Sequence, residues 1–158
     1  MSKEPYLLRT GSRIAIGGAP EGHDARLLGA IAATAPAGVL HICRDDMRLN
    51  AMAEALAFFA PGLRVLSLPA WDCLPYDRVS PNAEIVSRRM QVLCALGQVG
   101  DFRGGILLTT AQAALQRLPA RADLAAAGFH IERGGSLDLG ALTAYLARNG
   151  YTRAGTVM

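Results

Sequence analysis

Gly17-Gly18-Ala19-Pro20-Glu21-Gly22-His23-Asp24 lies between the short apolar run Ile14-Ala15-Ile16 and the helix-patterned Ala25-Arg26-Leu27-Leu28. Gly17 and Gly22 stand at the spacing of a phosphate-binding P-loop, G-x-x-x-x-G-K-[ST], which joins a strand to a helix and cradles phosphates on backbone N–H groups. The two positions that carry the chemistry are altered. A P-loop has a lysine that reaches the β- and γ-phosphates, then a hydroxyl that holds Mg²⁺; here His23 and Asp24 occupy those positions. A neutral imidazole supplies no fixed charge at neutral pH, and Asp24 with Glu21 puts carboxylates where an anion would sit. Both acids also suit a helix N-terminus, where they cap free N–H groups and favour the dipole. Two readings stand side by side: a nucleotide-binding architecture that has lost its nucleotide, and an ordinary glycine-rich turn before a helix.

Outward from that stretch, strand-like runs alternate with helical patterns, the signature of βαβ units and a parallel sheet. Ile14–Ile16 predicts a first strand and Asp24–Thr34 a helix. Val39–Cys43 predicts a second strand, after which Asp45 or Asp46 caps a helix carrying Leu49, Met52, Ala53, Leu56 and Phe59 at helical spacing. Pro61-Gly62 stops it, and Leu63–Leu68 is a third strand. A proline-marked loop from Pro69 to Pro81 leads into a long helix ending near Gly97. Ile106–Thr110 predicts a fourth, buried strand, followed by a short helix over Ala111–Leu118. The pattern predicts an α/β fold with a parallel sheet between helices over residues 1–118.

The character changes after Pro119, and residues 119–158 read as the start of a second, α+β domain. Gly128–Arg133 alternates like a strand, Gly134-Gly135 turns, and Ser136 or Asp138 starts a helix using Leu139, Leu142, Tyr145 and Leu146. Asn149-Gly150 is a good C-cap pair. Tyr151–Met158 then begins another strand with no partner to bury its face, so the chain reads as cut from a longer protein inside that second domain.

Composition narrows the function classes. Of the 158 residues, 51% are hydrophobic and 18% charged, which suits a packed core and not a disordered tail. No apolar run approaches the ~20 residues needed to span a bilayer, and the N-terminus has no secretion signal, so no membrane partner and a cytoplasmic location are expected. The net charge of +3 is mild, rests almost wholly on arginine, and shows no aromatic-and-basic stripe of the single-strand-binding kind. Cys43, Cys73 and Cys94 are odd in number and widely spaced without a C-x-x-C pair, which reads as free thiols in a reducing compartment rather than a metal site.

Catalytic chemistry is hard to find. A working P-loop enzyme needs an acid at the end of a buried strand to hold Mg²⁺. Asp45 and Asp46 follow a strand, yet they immediately precede a helical pattern and fit as N-caps. Ile106–Thr110 ends in hydroxyls, and His23, His41 and His130 have no nucleophile or carboxylate partner readable from sequence. No catalytic residue and no metal ligand are assigned.

The least ordinary segment is Trp71-Asp72-Cys73-Leu74-Pro75-Tyr76-Asp77-Arg78-Val79-Ser80-Pro81, which holds the only tryptophan. Ser80-Pro81 predicts a helix start, with the serine capping and the proline in the first turn. In that helix Arg89 falls on the apolar stripe of Ile85, Val92 and Leu96. Two readings are open: an arginine laying its stem on the core and reaching solvent, or a guanidinium anchoring the preceding loop through Asp72 or Asp77.

Leu68-Pro69-Ala70-Trp71-Asp72-Cys73-Leu74-Pro75-Tyr76-Asp77, then Ser80-Pro81, Ile85 and Arg89-Met90, closely resembles the N-terminal signature of the bacterial transcription-repair coupling factor family, Mfd. The likeness extends to the altered P-loop, to Ile106 with Thr109-Thr110, and to Gly150-Tyr151-Thr152-Arg153. The resemblance implies a UvrB-like first domain with a RecA-like (P-loop NTPase-like) three-layer fold and no working ATPase, hence no cofactor in this segment. It implies a second domain, interrupting the first, that docks UvrA. It also implies a parent that binds RNA polymerase and double-stranded DNA and carries an ATP- and Mg²⁺-dependent DNA translocase elsewhere. The family's UvrA-contacting residues are expected beyond Met158, so none is assigned here. The expected role is a non-catalytic scaffold in transcription-coupled nucleotide-excision repair; the alternatives are an active P-loop nucleotide-binding enzyme and an autonomous DNA-binding module.

Overall fold

The computed structural model describes residues 11, 13–74, 76, 78–98, 102–127, 129, 131 and 133–155. Two compact units divide between Pro119 and Ala120.

The first unit is an α/β layer structure. In chain order it contains α1 (His23–Thr34), β1 (Val39–Cys43), α2 (Asp46–Phe59), β2 (Arg64–Leu68), α3 (Ala83–Gln98), β3 (Gly105–Thr110) and the single turn α4 (Ala111–Ala114). The three strands form one parallel sheet in the order β1-β3-β2. β3 takes the centre because Gly105–Leu108 is apolar on both faces and Thr109 and Thr110 are buried with their hydroxyls bonded, as a strand covered on both sides requires. Val39 pairs with Ile106 and Cys43 with Thr110 on one side; Val65 pairs with Ile106 and Leu68 with Thr109 on the other. Helices α1 and α2 bury Ala25, Leu28, Ala32, Leu49, Met52 and Leu56 against Cys43, Ile106 and Leu108. α3 packs on β2, and its buried Val92 and Leu93 stand outside that cluster. Leu40 and Ile42 of β1, on the opposite pleat from Cys43, remain half exposed among the described residues.

Local chemistry explains most element ends. The Asp45 carboxylate accepts from the Arg48 N–H at 2.8 Å and caps α2. Thr110 Oγ1 accepts from the Ala113 N–H and starts α4 where β3 stops. The buried Thr109 hydroxyl donates to the Leu68 carbonyl at 3.1 Å, fastening β3 to the end of β2. Gly38 is obligatory: its φ is +78°, and a Cβ there would lie 2.5 Å from the Phe102 carbonyl oxygen.

Three expectations are corrected. Ile14–Ile16 forms no strand; both isoleucines are about half exposed, and no described strand pairs with them. A three-residue apolar run offers little ladder, and Gly17-Gly18 follows at once, with Gly18 at φ +66° turning the chain away. The long helix starts at Ala83, not at Ser80-Pro81. Asn82 caps it, its side-chain oxygen accepting from the Glu84 N–H at 2.8 Å and its carbonyl from the Val86 N–H at 3.0 Å. The short helix after β3 ends at Ala114 rather than continuing to Leu118.

The second unit contains α5 (Arg121–Ala127), which the reading of the sequence left out, and α6 (Leu139–Arg148). Asp138 caps α6 through the Ala141 N–H at 3.0 Å, and Gly150 closes it at φ +81°, as Asn149-Gly150 predicts. The ring of Phe129 packs on Tyr145 at 5.3 Å. The strand expected over residues 128–133 falls partly on positions 128, 130 and 132, outside the described residues. Residues 129, 131 and 133 are not in a strand, nor are 151–155; positions 156–158 lie outside the described residues.

Candidate functional site

Two constellations single themselves out, the glycine stretch before α1 and the tryptophan loop before α3. At the first, Gly22 is the N-cap of α1 at φ +82°, a left-handed conformation that favours glycine. His23 N–H donates to the Pro20 carbonyl at 3.0 Å, closing a turn. Asp24 sits in the first helical turn and accepts from the Ala25 N–H at 2.9 Å. Its other carboxylate oxygen takes a hydrogen bond from Nη2 of Arg48, which reaches across from α2. Nη1 of the same guanidinium lies 3.9 Å from Glu21. The acids at the cradle therefore have a resident cation, supplied by the chain itself. Gly17 and Gly18 are exposed, with room around each. The helix of the P-loop pattern is present; the strand before it is not.

Beside this corner a small cleft is lined by Ile16, His23, Asp24, Leu27 and His41. Burial lowers the pKa of His41 from its ordinary value; nearby Asp24 opposes that shift and Arg48 adds to it. Burial raises the Cys43 thiol pKa. The Asp45 carboxyl is held down by the Arg48 N–H it accepts and then by the Arg44 side chain. Among the described residues no group of three His, Cys, Asp or Glu could hold a metal ion.

At the second constellation, Arg89 is 1% exposed, which excludes the reading in which it reaches solvent. It does anchor the preceding loop, though not through Asp72. Nη1 donates to the Pro69 carbonyl, and Cζ stands 4.4 Å from the centroid of the Trp71 ring. Burial lowers its pKa. Among the described residues Nε has no partner and no carboxylate pairs with the guanidinium. Asp77, the other partner considered, lies outside the described residues, as does Pro75. Asp72 instead accepts from the Asn82 N–H at 3.2 Å to each oxygen, tying the loop to the start of α3. Leu74 and Tyr76 are exposed, Tyr76 fully and at φ +80°, a strained conformation for a bulky side chain. Ser80 is exposed and Pro81 half-buried.

The structure therefore brings Gly22, His23 and Asp24 to one corner and Trp71 and Arg89 to another, with Asp72 on Asn82; the reading of the sequence found those residues. It missed Arg48 and Asn82. Asn82 follows Ser80-Pro81 closely enough to have been a rival cap. Arg48 lies 24 residues from Asp24, and only the packing of α1 on α2 makes them neighbours.

These features define a parallel α/β domain whose cradle-like corner is closed by its own ion pair and whose aromatic loop is fixed by a buried arginine. Comparison with known proteins gives that class a family. A transcription-repair-coupling factor of Myxococcus xanthus is 34% identical over 154 residues, 91% of this chain and 12% of that protein. Proteins of the same name from Rickettsia prowazekii and Escherichia coli K12 are 36% identical over 81 residues and 30% identical over 94. They cover 51% and 60% of this chain, and 7% and 8% of their own lengths are matched. No protein-family model matches the chain. The chain belongs to the transcription-repair coupling factor family and spans about an eighth or less of the relatives it matches. No described helix is long and apolar enough to cross a membrane.

Proposed function

We propose that this segment is a non-catalytic, RecA-like, UvrB-like scaffold of a cytoplasmic transcription-repair coupling factor. It holds the domain that begins near Ala120, and that domain, once complete, recruits UvrA. In this reading the parent binds RNA polymerase and double-stranded DNA, and its ATP- and Mg²⁺-driven translocation resides elsewhere. The observation that carries the scaffold role is the Arg48–Asp24 ion pair at the N-terminus of α1. A nucleotide phosphate arriving there meets a carboxylate already paired with a guanidinium, no lysine, and no hydroxyl for Mg²⁺. The parallel sheet with helices on both sides supports a RecA-like layout.

Equilibrium binding of labelled ATP with Mg²⁺ tests the first half: no saturable binding is expected below the millimolar range. Saturable micromolar binding abolished by Gly22→Trp would overturn it. Co-purification with UvrA tests the second half. A chain extended through the complete second domain should retain UvrA and the 158-residue chain should retain little; strong retention by the short chain would misplace the contacts.

A further inference from the structure

β2 ends the sheet among the described residues, so one side of Arg64–Leu68 has backbone N–H and C=O groups with no strand beside them. This edge is not flat. α2 and α3 rise on either side and leave two clefts along it, of about 330 and 410 Å³, which share Asn50, Ser67 and Arg88 and so run into one groove. Val65, Leu66 and Ser67 are half-buried along its floor. β2 carries no proline and no lysine, two common devices for blunting an edge.

The ends of the groove differ in charge. At the Leu68 end stand three acids, Asp46, Asp72 and Glu84, with Arg88 3.4 Å from Glu84 and the buried Arg89 guanidinium behind Pro69 and Trp71. At the other end of β2 is Arg64, its guanidinium over the Phe102 ring. We infer that the groove takes an extended peptide by strand addition to β2, with a lysine or arginine of the peptide at the Leu68 end. Backbone hydrogen bonds supply affinity in this mode, and alternate side chains reaching the two helices supply specificity. A strand rises about 3.3 Å per residue, so a peptide of about six residues matches β2.

The probe is a capped six-residue peptide of alternating lysine and valine, titrated at low salt into the ¹⁵N-labelled 158-residue chain. Shifts should concentrate on residues 64–68 and the Asn50 side-chain amide. N-methylation of alternate peptide nitrogens, or replacement of its lysines by glutamate, should weaken binding tenfold or more. Asn50→Trp, which fills the groove without changing charge, and Glu84→Lys should do the same with unchanged far-UV circular dichroism. Equal binding of the N-methylated peptide would reduce the contact to side-chain attraction and overturn strand addition. Absence of binding at millimolar peptide, shifts away from β2, or peptide-independent self-association through β2 would overturn it as well.

Discussion

Arg89 offers the sharpest test of how the tryptophan loop is held. Its side chain is 1% exposed, and it contributes a hydrogen bond to the Pro69 carbonyl and a face-on contact with Trp71. Truncation to alanine forfeits buried volume at a cost of about 2–5 kcal/mol for a side chain of similar size. It also leaves a part-buried carbonyl without this donor, a further cost toward the lower end of ~1–3 kcal/mol. Removing a buried charge returns several kcal/mol of desolvation. The net expectation for Arg89→Ala is a loss of about 2–3 kcal/mol, and Arg89→Met, which keeps the stem, should come out near neutral. The informative quantity is therefore the coupling to Trp71. A cycle of Arg89→Met, Trp71→Leu and the double variant should give about 1–2 kcal/mol, as for a desolvated cation on an indole. Urea unfolding followed by far-UV circular dichroism is the assay, because half of the cycle lacks the only tryptophan. Coupling below ~0.5 kcal/mol is the size found between independent sites and would refute the stacking account. Arg89→Lys keeps the charge without the planar fork and should lose most of the coupling.

Three further outcomes follow from the cradle side of the sheet. Arg48→Ala should destabilise by only about 0.5–1 kcal/mol, because both partners are about one-third exposed, and the loss should shrink in 1 M salt; an effect above ~2 kcal/mol would mark a more buried role. His41 has its native pKa below the ordinary 6.5, so the unfolded chain takes up the proton first. Stability from this residue is full above pH 6.5, falls as pH drops from there through the depressed native pKa, and levels below it. His41→Gln should flatten that acid limb in urea midpoints measured from pH 8 to 5, and an unchanged limb would remove His41 as its source. Cys43 is buried with a raised pKa, so iodoacetamide at neutral pH should label Cys73 and Cys94 first and reach Cys43 only on unfolding; early labelling of Cys43 would contradict its packing.

What was legible in the sequence follows from the range of the interaction concerned. Capping is local, so each N-cap could be narrowed to two residues, Asp45 or Asp46 and Ser136 or Asp138, of which Asp45 and Asp138 cap; the Asn149-Gly150 stop could be read directly, and the runs at Val39, Leu63 and Ile106 became the three strands. Asn82 was hidden by competition: Ser80-Pro81 is a stronger local start signal, but Asp72, ten residues upstream, holds the Asn82 N–H and sets the helix two residues further on. Ile14–Ile16 failed for the opposite reason. Its apolar pattern was real, but a strand exists only with a neighbour, and no described strand lies alongside it. Arg89 was half legible. Its position on the apolar stripe foretold that it was unusual, while its partners, a carbonyl and an indole, carry no charge signal in a sequence.

In the proposed scaffold, Arg48 has the part of a counter-charge at the N-terminus of α1. Backbone N–H groups at a helix N-terminus attract negative charge whatever its source. In a working P-loop that charge arrives with the nucleotide, and a lysine and Mg²⁺ balance it. Here Asp24 supplies the negative charge from within the first turn, and Arg48 balances it from α2. Placing a lysine at His23 and a serine at Asp24 is therefore not expected by itself to make a nucleotide site. The double variant frees Arg48 but leaves Ile14–Ile16 unpaired, so the loop has no strand to fix its approach to the phosphates. Labelled ATP should bind the double variant no better than millimolar. Micromolar binding would mean that the loop can organise itself around a triphosphate, and that the two altered residues alone separate this corner from an active one.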